Sequence, residues 1–306
     1  RGKLLAGGIL TAFFIALQIM SNHVQMSYYF LFVILFIAGA YFEDAWRNKT
    51  LPQFFKASAV LLVSALIGVA ANLSNLYHTY TYSKETMRGK SELVQTGDAA
   101  KQTSSGLDRD YITNWSYGIG ETWTLLVPNF KGGSSSAPLS QSEAAMEKAN
   151  PMYGSLYNSL PQYFGSQPWT AGPVYVGAFV LFLFVLGCFI VKGPLKWALL
   201  GATFFSIVLA WGKNFMPLTD FFIDYNKFRA VSSILVIAEF TIPLLAIFAL
   251  KRVLEEPGIW KANKKAFGIS LALTAGVALL LTVAPGSLGA GFVPAQEAQM
   301  LQNAVD

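Results

Sequence analysis

The chain has 306 residues, of which 54% are hydrophobic and only 13% are charged. A soluble domain carries about 25% charged residues, so this composition excludes an ordinary soluble protein and predicts an integral membrane protein. The net charge of +5 does not indicate nucleic-acid binding, because the basic residues lie mostly between apolar segments. The single cysteine, Cys188, excludes a disulfide within this sequence. No signal-peptide cleavage site follows Arg1, and we interpret the chain as a piece of a longer polypeptide.

Seven stretches are apolar and long enough to cross a bilayer as helices, which takes roughly 20 residues with about 17 tolerated. They cover about 4–20, 26–42, 57–76, 171–191, 195–211, 230–250 and 266–284. The sequence therefore predicts an all-α, polytopic membrane bundle of about seven transmembrane helices. It divides into spans one to three (1–76), a long external loop with short interfacial helices (77–170), spans four to seven (171–284) and an external segment (285–306) that leads to a further C-terminal part.

The short loops predict the orientation, because lysine and arginine accumulate on the cytoplasmic side of a membrane. Alternate loops carry 12 basic residues, whereas the opposite short loops carry three. The first group is Arg1, Lys3, Arg47, Lys49, Lys56, Lys192, Lys196, Lys251, Arg252, Lys261, Lys264 and Lys265. We expect the N-terminal end to be cytoplasmic and the loop 77–170 to lie on the outer side of the membrane.

Residues 115–133 of the long loop read WSYGIGETWTLLVPNFKGG. The stretch has neither the ending of a P-loop nor the third glycine of a dinucleotide fold, and its outer location excludes cytosolic nucleotides. Gly118 and Gly120 favour a tight turn or hinge, and Glu121 suits the first turn of a helix. We predict a short re-entrant or interfacial helix, with Glu121 and Lys131 flanking a site at the outer headgroup level. The alternative is that the stretch only packs the loop onto the bundle.

Three runs along the chain are distinctive: GLDRDYITNWSYGIGETWTLLVPNFKGG, QPWTAGPVYVGAFVLFLFVLG and WGKNFMPLTDFFIDYNKFRAVSSILVIAEFTIPLLA. They resemble the YfhO-like bacterial membrane proteins, in the form common among Bacteroidetes. The resemblance covers most of the chain up to about residue 255, and NKFRA is its most specific element. It implies a GT-C type protein, related to enzymes that transfer a sugar from a polyprenyl-phosphate carrier to an acceptor at the outer face. Gram-positive members imply teichoic acid as acceptor, and a Bacteroidetes relative would need another.

Two features depart from the family. Enzymes of this superfamily place a key acidic residue in the first external loop, and that loop is expected upstream of Arg1, so the catalytic base is unknown here. Family members also carry a few more residues between Tyr225 and Asn226, so the external loop before Lys227 is either shorter in this chain or incompletely represented in this sequence.

Glycosyl transfer from a lipid phosphate requires a carboxylate to deprotonate the acceptor, cations to neutralise the departing phosphate and a groove for the isoprenoid tail. Lys227 and Arg229 stand at the predicted outer end of a transmembrane helix, and arginine binds phosphate through a bidentate fork. We predict that both bind the substrate phosphate, together with Lys131. The alternative is that they are snorkelling anchors.

Carboxylates in two places are further candidates. Asp220 and Asp224 lie four residues apart, which puts them on one face if the segment is helical. With Glu121 they are candidate catalytic residues, and they could also position the acceptor or a divalent metal ion, although such a pair is often only solvated. The two histidines, His23 and His78, fall in different loops and are no metal signature.

Glu239 lies near the centre of the apolar stretch AVSSILVIAEFTIPLLAIFAL. An ionised acid within a membrane is expensive unless it faces a cavity or a partner, and such residues are functional candidates. Glu239 is therefore predicted either to take part in function or to pair with a polar group of a neighbouring helix.

Three functions compete for this sequence. The first is a transferase whose partners are a polyprenyl-phosphate-linked sugar, membrane lipids and a cell-envelope glycan acceptor. The second is a transporter or flippase of lipid-linked glycans, and the third is a non-catalytic membrane scaffold. An inverted-repeat transporter should show two matching halves, and the sequence contains no convincing internal repeat.

Overall fold

The computed structural model describes residues 2–86, 109–215, 228–289, 291–293, 298–299 and 302–303. These ranges contain many helices and no strand, apart from one isolated antiparallel bridge between Pro138 and Pro161. The predicted all-α membrane bundle, with short helices in the long loop, is confirmed.

The helices alternate between long apolar elements and short elements. In chain order the α-helices are α1 (Gly2–Met20), α2 (Val24–Arg47), α3 (Leu51–Ala70), α4 (Leu73–Ser83), α5 (Arg109–Thr113), α6 (Glu143–Met146), α7 (Gly154–Ser159), α8 (Ala178–Ile190), α9 (Pro194–Ala210), α10 (Val236–Glu255), α11 (Ile259–Ala262), α12 (Lys264–Leu271) and α13 (Val277–Val283). Short 3-10 helices cover Gly120–Leu125, Leu139–Gln141, Pro151–Tyr153, Gly212–Phe215, Val231–Leu235 and Ser287–Gly289, and a π turn at Ala272–Gly276 joins α12 to α13.

Five described helices are long and apolar enough to cross a membrane, and two shorter apolar helices, α8 and α9, accompany them. The five are α1, α2, α3, the run Val231–Glu255 and the run Lys264–Val283. In the apolar windows of α1 to α3 only 6% to 11% of residues are buried by protein. Their large apolar side chains remain outward-facing, as a lipid environment requires. The chain is therefore a multi-pass membrane protein.

The third predicted span, 57–76, is misplaced. Helix α3 runs from Leu51 to Ala70, and Asn72 precedes a separate helix, α4. The Asn72 side-chain amide donates to the carbonyl of Ala16 at 3.0 Å. An asparagine whose side chain bonds to backbone competes with helix continuation, which explains the break.

The fourth predicted span, 171–191, is too long at its beginning. Gly177 adopts a φ of +97°, so the helical segment is only α8, with 13 residues. At 1.5 Å per residue α8 rises about 20 Å, which is less than the roughly 30 Å of a hydrocarbon core. The fifth prediction, 195–211, matches α9 closely.

Contacts divide the described residues into two compact units. The first comprises those within 1–112, 193–202 and 222–229, and the second those within 113–192, 203–221 and 230–306. In the first unit, α1 and α3 pack tightly through small residues. A Cβ added at Gly68 would lie 2.7 Å from the carbonyl oxygen of Ala12, and one at Gly8 would lie 2.9 Å from the Ser64 hydroxyl. Small residues that allow backbones to approach are a common basis of helix association in membranes.

Gly68 provides a test of this packing. We expect Gly68→Leu to lower the thermal stability of the purified protein, because a side chain there overlaps the α1 backbone and overpacking costs about 1–3 kcal/mol. The control is Gly39→Leu in α2, where an added Cβ meets nothing within 4 Å. Equal melting temperatures for the two variants would contradict a close α1–α3 contact.

In the second unit, α8 packs against α10. A Cβ at Gly187 would lie 3.0 Å from Cγ of Leu245, and the buried residues of α10 include Leu245 and Ala249. The hydroxyls of Thr203 and Thr241 lie 2.6 Å apart and share a hydrogen bond. A polar pair of this kind satisfies both hydroxyls within an apolar core.

Candidate functional site

The carboxylate of Glu121 is buried, with only 4% of the residue exposed, and four donors hold it. The Tyr163 hydroxyl donates to Oε1 at 2.7 Å, and the Gln167 side-chain amide donates to the same oxygen at 3.2 Å. The backbone N–H groups of Gly118 and Ser166 donate to Oε2 at 3.1 Å and 3.4 Å. Burial of a carboxylate is costly unless its lone pairs are satisfied. Glu121 therefore anchors the loop by joining segments more than 40 residues apart in sequence.

The short helix predicted around Glu121 is present as Gly120–Leu125. A Cβ on the neighbouring Gly118 would lie 2.6 Å from the Ser166 hydroxyl, so lack of space favours glycine at this position. The N–H that bonds to Glu121 would be present with any residue except proline. Whether the Glu121 carboxylate also accepts a proton in catalysis stays a prediction.

Two buried tyrosines surround this carboxylate. Burial raises the pKa of Tyr163 far above its usual value, and the neighbouring charge of Glu121 raises it further. Burial likewise raises the pKa of Tyr117, whose residue is 1% exposed, and the Glu121 charge adds to the effect. Both phenols stay protonated at neutral pH, so Tyr163 remains a donor to Glu121.

This arrangement predicts a loss of stability at high pH. An unfolded tyrosine ionises at about pH 10, whereas the folded protein keeps both protons, so the unfolding free energy should be unaffected below that pH and fall as pH rises above it. The measurement is denaturant unfolding in detergent from pH 8 to 11. The unfolding free energy of the double variant Tyr117→Phe with Tyr163→Phe should fall less steeply with pH. That of Tyr82→Phe, at an exposed position, should follow the wild type. Identical slopes for all three proteins would contradict burial of the two phenols.

The stretch 115–122 is also tied to the end of α9. The N–H of Tyr117 donates to the carbonyl of Ala210 at 2.8 Å, and the Trp211 indole donates to the Thr122 hydroxyl at 2.9 Å. Gly212 has a φ of +47°, and a Cβ there would lie 2.1 Å from the Ser116 hydroxyl. The loop therefore packs against a helix end of the second unit, in agreement with the alternative that the sequence left open.

Lys131 is buried and directed at backbone. Its ammonium donates to the carbonyl oxygen of Gly291, and to that of Phe292 at 3.2 Å. The following Gly132 has a φ of +84°, and a Cβ there would lie 1.7 Å from the carbonyl oxygen of Gln162. Lys131 thus holds residues 291–292 in place through their carbonyl groups, and its role in phosphate binding stays a prediction.

Beside this turn lies a cleft of about 610 Å³, which we call the loop cleft. Seven of its 15 described lining residues are leucines or aromatic residues. The lining residues are Asn129, Gly132, Gly133, Leu139, Ser142, Ala144, Ala145, Tyr153, Leu156, Tyr157, Leu160, Gln162, Phe164, Phe292 and Val293. Its volume and apolar character are those of a ligand-binding pocket.

Arg229 belongs to a second group, in the first unit, which we call the Arg229 cluster (Arg229, Tyr111, Gln25 and Tyr29). The guanidinium donates to the Tyr111 hydroxyl at 3.4 Å, and the residue is exposed. The side-chain amide of Gln25 donates to the Arg229 carbonyl at 2.9 Å and to the hydroxyl of Tyr29, a buried residue, at 2.8 Å. The backbone of Arg229 is thus fixed to the first turn of α2, while the charged group remains accessible.

Aromatic rings lie next to the Arg229 cluster. The ring centroid of Tyr28 is 5.3 Å from that of Phe228 and 5.1 Å from that of Phe32. Such contacts stabilise an apolar surface directly beside a cation. This combination suits an amphiphile with an anionic head and an apolar tail.

The remaining predicted site residues fall into two groups. Asp220, Asp224 and Lys227 lie outside the residues that the structure describes. Glu239 is exposed and lies in the first turn of α10, because the α-helix begins at Val236. It is therefore less central in its helix than the apolar stretch suggested. The N-terminal end of a helix favours a negative charge. Among the described residues, no three His, Cys, Asp or Glu side chains come together as a metal site.

Several residues of these sites carry no signal in the sequence. Tyr163 and Gln167 lie in a loop without periodicity, and Gln25 and Tyr111 are ordinary polar residues near helix ends. Their roles depend on partners as far as 204 positions away. Only the tertiary contacts identify them.

Comparison with known proteins finds no matching family model, no matching curated protein and no matching solved structure.

Proposed function

We propose that this protein is a membrane-embedded glycosyltransferase of the GT-C type, resembling the YfhO-like family. It transfers a sugar from a polyprenyl-phosphate carrier to a cell-envelope glycan acceptor. The reaction takes place at the outer face of a bacterial inner membrane, with the loop 77–170 periplasmic. In the reaction the acceptor oxygen bonds to the anomeric carbon, the bond from that carbon to the phosphate oxygen breaks, and the acceptor proton passes to a carboxylate.

The Arg229 cluster is the observation that carries this proposal. A guanidinium stands two residues before a membrane-spanning run, its backbone fixed and its charged group exposed. Arginine pairs with phosphate oxygens through two parallel N–H bonds and so neutralises the departing phosphate. The adjacent rings of Tyr28 and Phe228 offer an apolar surface for the first units of a lipid tail. Lys227 supplies a second positive charge two positions earlier in the sequence.

The test is a reconstitution of the full-length protein in liposomes that contain polyprenyl phosphate carrying a radiolabelled hexose. We expect label to move into added cell-envelope glycan, with sugar-free polyprenyl phosphate as the second product. Movement of the labelled lipid across the bilayer without transfer would favour the flippase. Absence of both, with the protein folded, would contradict the proposal and favour a scaffold.

A further inference from the structure

The described lining of the loop cleft carries no charge, although the segment that forms most of it does. None of its 15 described lining residues is Asp, Glu, Lys, Arg or His. Glu143 and Glu147, on and next to α6, are exposed instead of lining it. Described walls of this kind do not compensate an ionised ligand group, which favours an uncharged ligand.

Hydrogen bonds and a ring contact hold the walls of the cleft together. The carbonyl of Lys131 accepts a hydrogen bond from the N–H of Phe164 at 2.8 Å, and the carbonyl of Leu160 accepts one from Leu139 at 2.8 Å. The rings of Phe164 and Phe292 lie 5.4 Å apart, and the Lys131 ammonium fastens Phe292 through its carbonyl. A preformed pocket avoids the entropic cost of ordering its walls upon binding.

We propose that the loop cleft holds the acyl chain of a membrane phospholipid. Aliphatic side chains, among them Leu139, Leu156 and Leu160, match a hydrocarbon chain, and a volume of about 610 Å³ is ample for one. A sugar would leave most of its hydroxyls facing apolar wall, and unpaired buried polar groups are costly. The described residues include five helices that can cross a membrane, so bilayer phospholipids are the apolar ligands at the highest local concentration. This binding is independent of the proposed transferase reaction.

The experiment is photo-crosslinking of the full-length protein in vesicles of phosphatidylethanolamine and phosphatidylglycerol. The probe is phosphatidylethanolamine with a diazirine in one acyl chain, and labelled peptides are identified by mass spectrometry. We expect label within residues 139–164 in addition to the spanning helices. Label confined to the spanning helices would overturn the proposal.

Two filling variants sharpen the result. Leu156→Trp and Ala145→Phe each place a ring in the cleft and should reduce label on residues 139–164 by about tenfold, the effect of overpacking a fitted site. Asn158→Trp, on the same helix α7 as Leu156 but outside the lining, should change the label on residues 139–164 by less than about twofold. Label on α1 is the internal reference for each protein.

Undiminished label in either filling variant with wild-type melting behaviour would overturn the proposal. So would displacement of the probe by a small mole fraction of polyprenyl phosphate, which would assign the cleft to that carrier.

Discussion

Replacing Arg229 with alanine is expected to weaken binding of polyprenyl phosphate by about 10- to 100-fold, because a charge-assisted hydrogen bond contributes about 1.5–3 kcal/mol. The transfer rate in reconstituted liposomes should fall at least as much, since the guanidinium also neutralises the leaving phosphate. Arg229→Lys should be intermediate, because lysine retains the charge but lacks the planar fork. The measurements are binding of fluorescent polyprenyl phosphate to protein in detergent and transfer of radiolabelled sugar.

Arg47→Ala is the matched control for this prediction. Arg47 lies at the opposite end of α2, is exposed and pairs with Glu43. Its loss should leave both binding and transfer near wild-type values, because an exposed ion pair contributes little. If Arg229→Ala bound the lipid phosphate as well as Arg47→Ala does, the phosphate site would have to be sought elsewhere.

A further variant separates position from charge. Gln25→Leu keeps the guanidinium but removes the amide that holds the Arg229 carbonyl. We expect the transfer rate to fall while some phosphate affinity remains, since the cation is present but no longer oriented.

Replacing Glu121 with glutamine is expected to lower the unfolding free energy by about 1–3 kcal/mol. The amide that replaces Oε2 would face the N–H groups of Gly118 and Ser166. The buried N–H of Gly118 would then lose its acceptor, whereas the N–H of Ser166, an exposed residue, can bond to water instead. Denaturant unfolding in detergent at pH 7 measures the change.

Glu143→Gln, at an exposed position of α6, is the control and should change stability by less than about 0.5 kcal/mol. Tyr163→Phe should cost less than Glu121→Gln, because Gln167 still donates to the same carboxylate oxygen. The transfer assay adds a second readout for the Glu121 variant. Loss of transfer in a variant with unchanged stability would mean that Glu121 acts as a proton acceptor instead of an anchor.

Local patterns explain which parts of the fold could be predicted. Apolar runs located α1, α9 and the run Lys264–Val283 within two residues, and α2 and α10 within about six, because a helix segment that crosses the hydrocarbon core must be largely apolar. The same reasoning misplaced α3 and α8, where breaks depend on Asn72 and on the left-handed conformation of Gly177. Single residues that end a helix leave the average hydropathy almost unchanged.

For the candidate sites, residue type was a partial guide. Glu121 and Lys131 were identified as the charged residues of an aromatic loop, and the structure gives both a buried place there. The sequence does not predict their partners, since three of the four donors to the Glu121 carboxylate lie 42 to 46 positions away. Lys131 reaches residues 160 and 161 positions away. Asp220, Asp224 and Lys227 remain candidates from the sequence alone.

By itself the sequence determined that this is a multi-pass, helical membrane protein, and it placed Arg229 at the beginning of a spanning run. These properties follow from composition and order along the chain, which the bilayer acts on directly. Tertiary structure alone decided that Glu121 is enclosed by four donors, that Gln25 holds the Arg229 backbone and that a cleft whose described lining carries no charge forms between the long loop and residues 292–293. Those features arise where distant segments pack together, and packing depends on shape and hydrogen-bond geometry that no local pattern encodes.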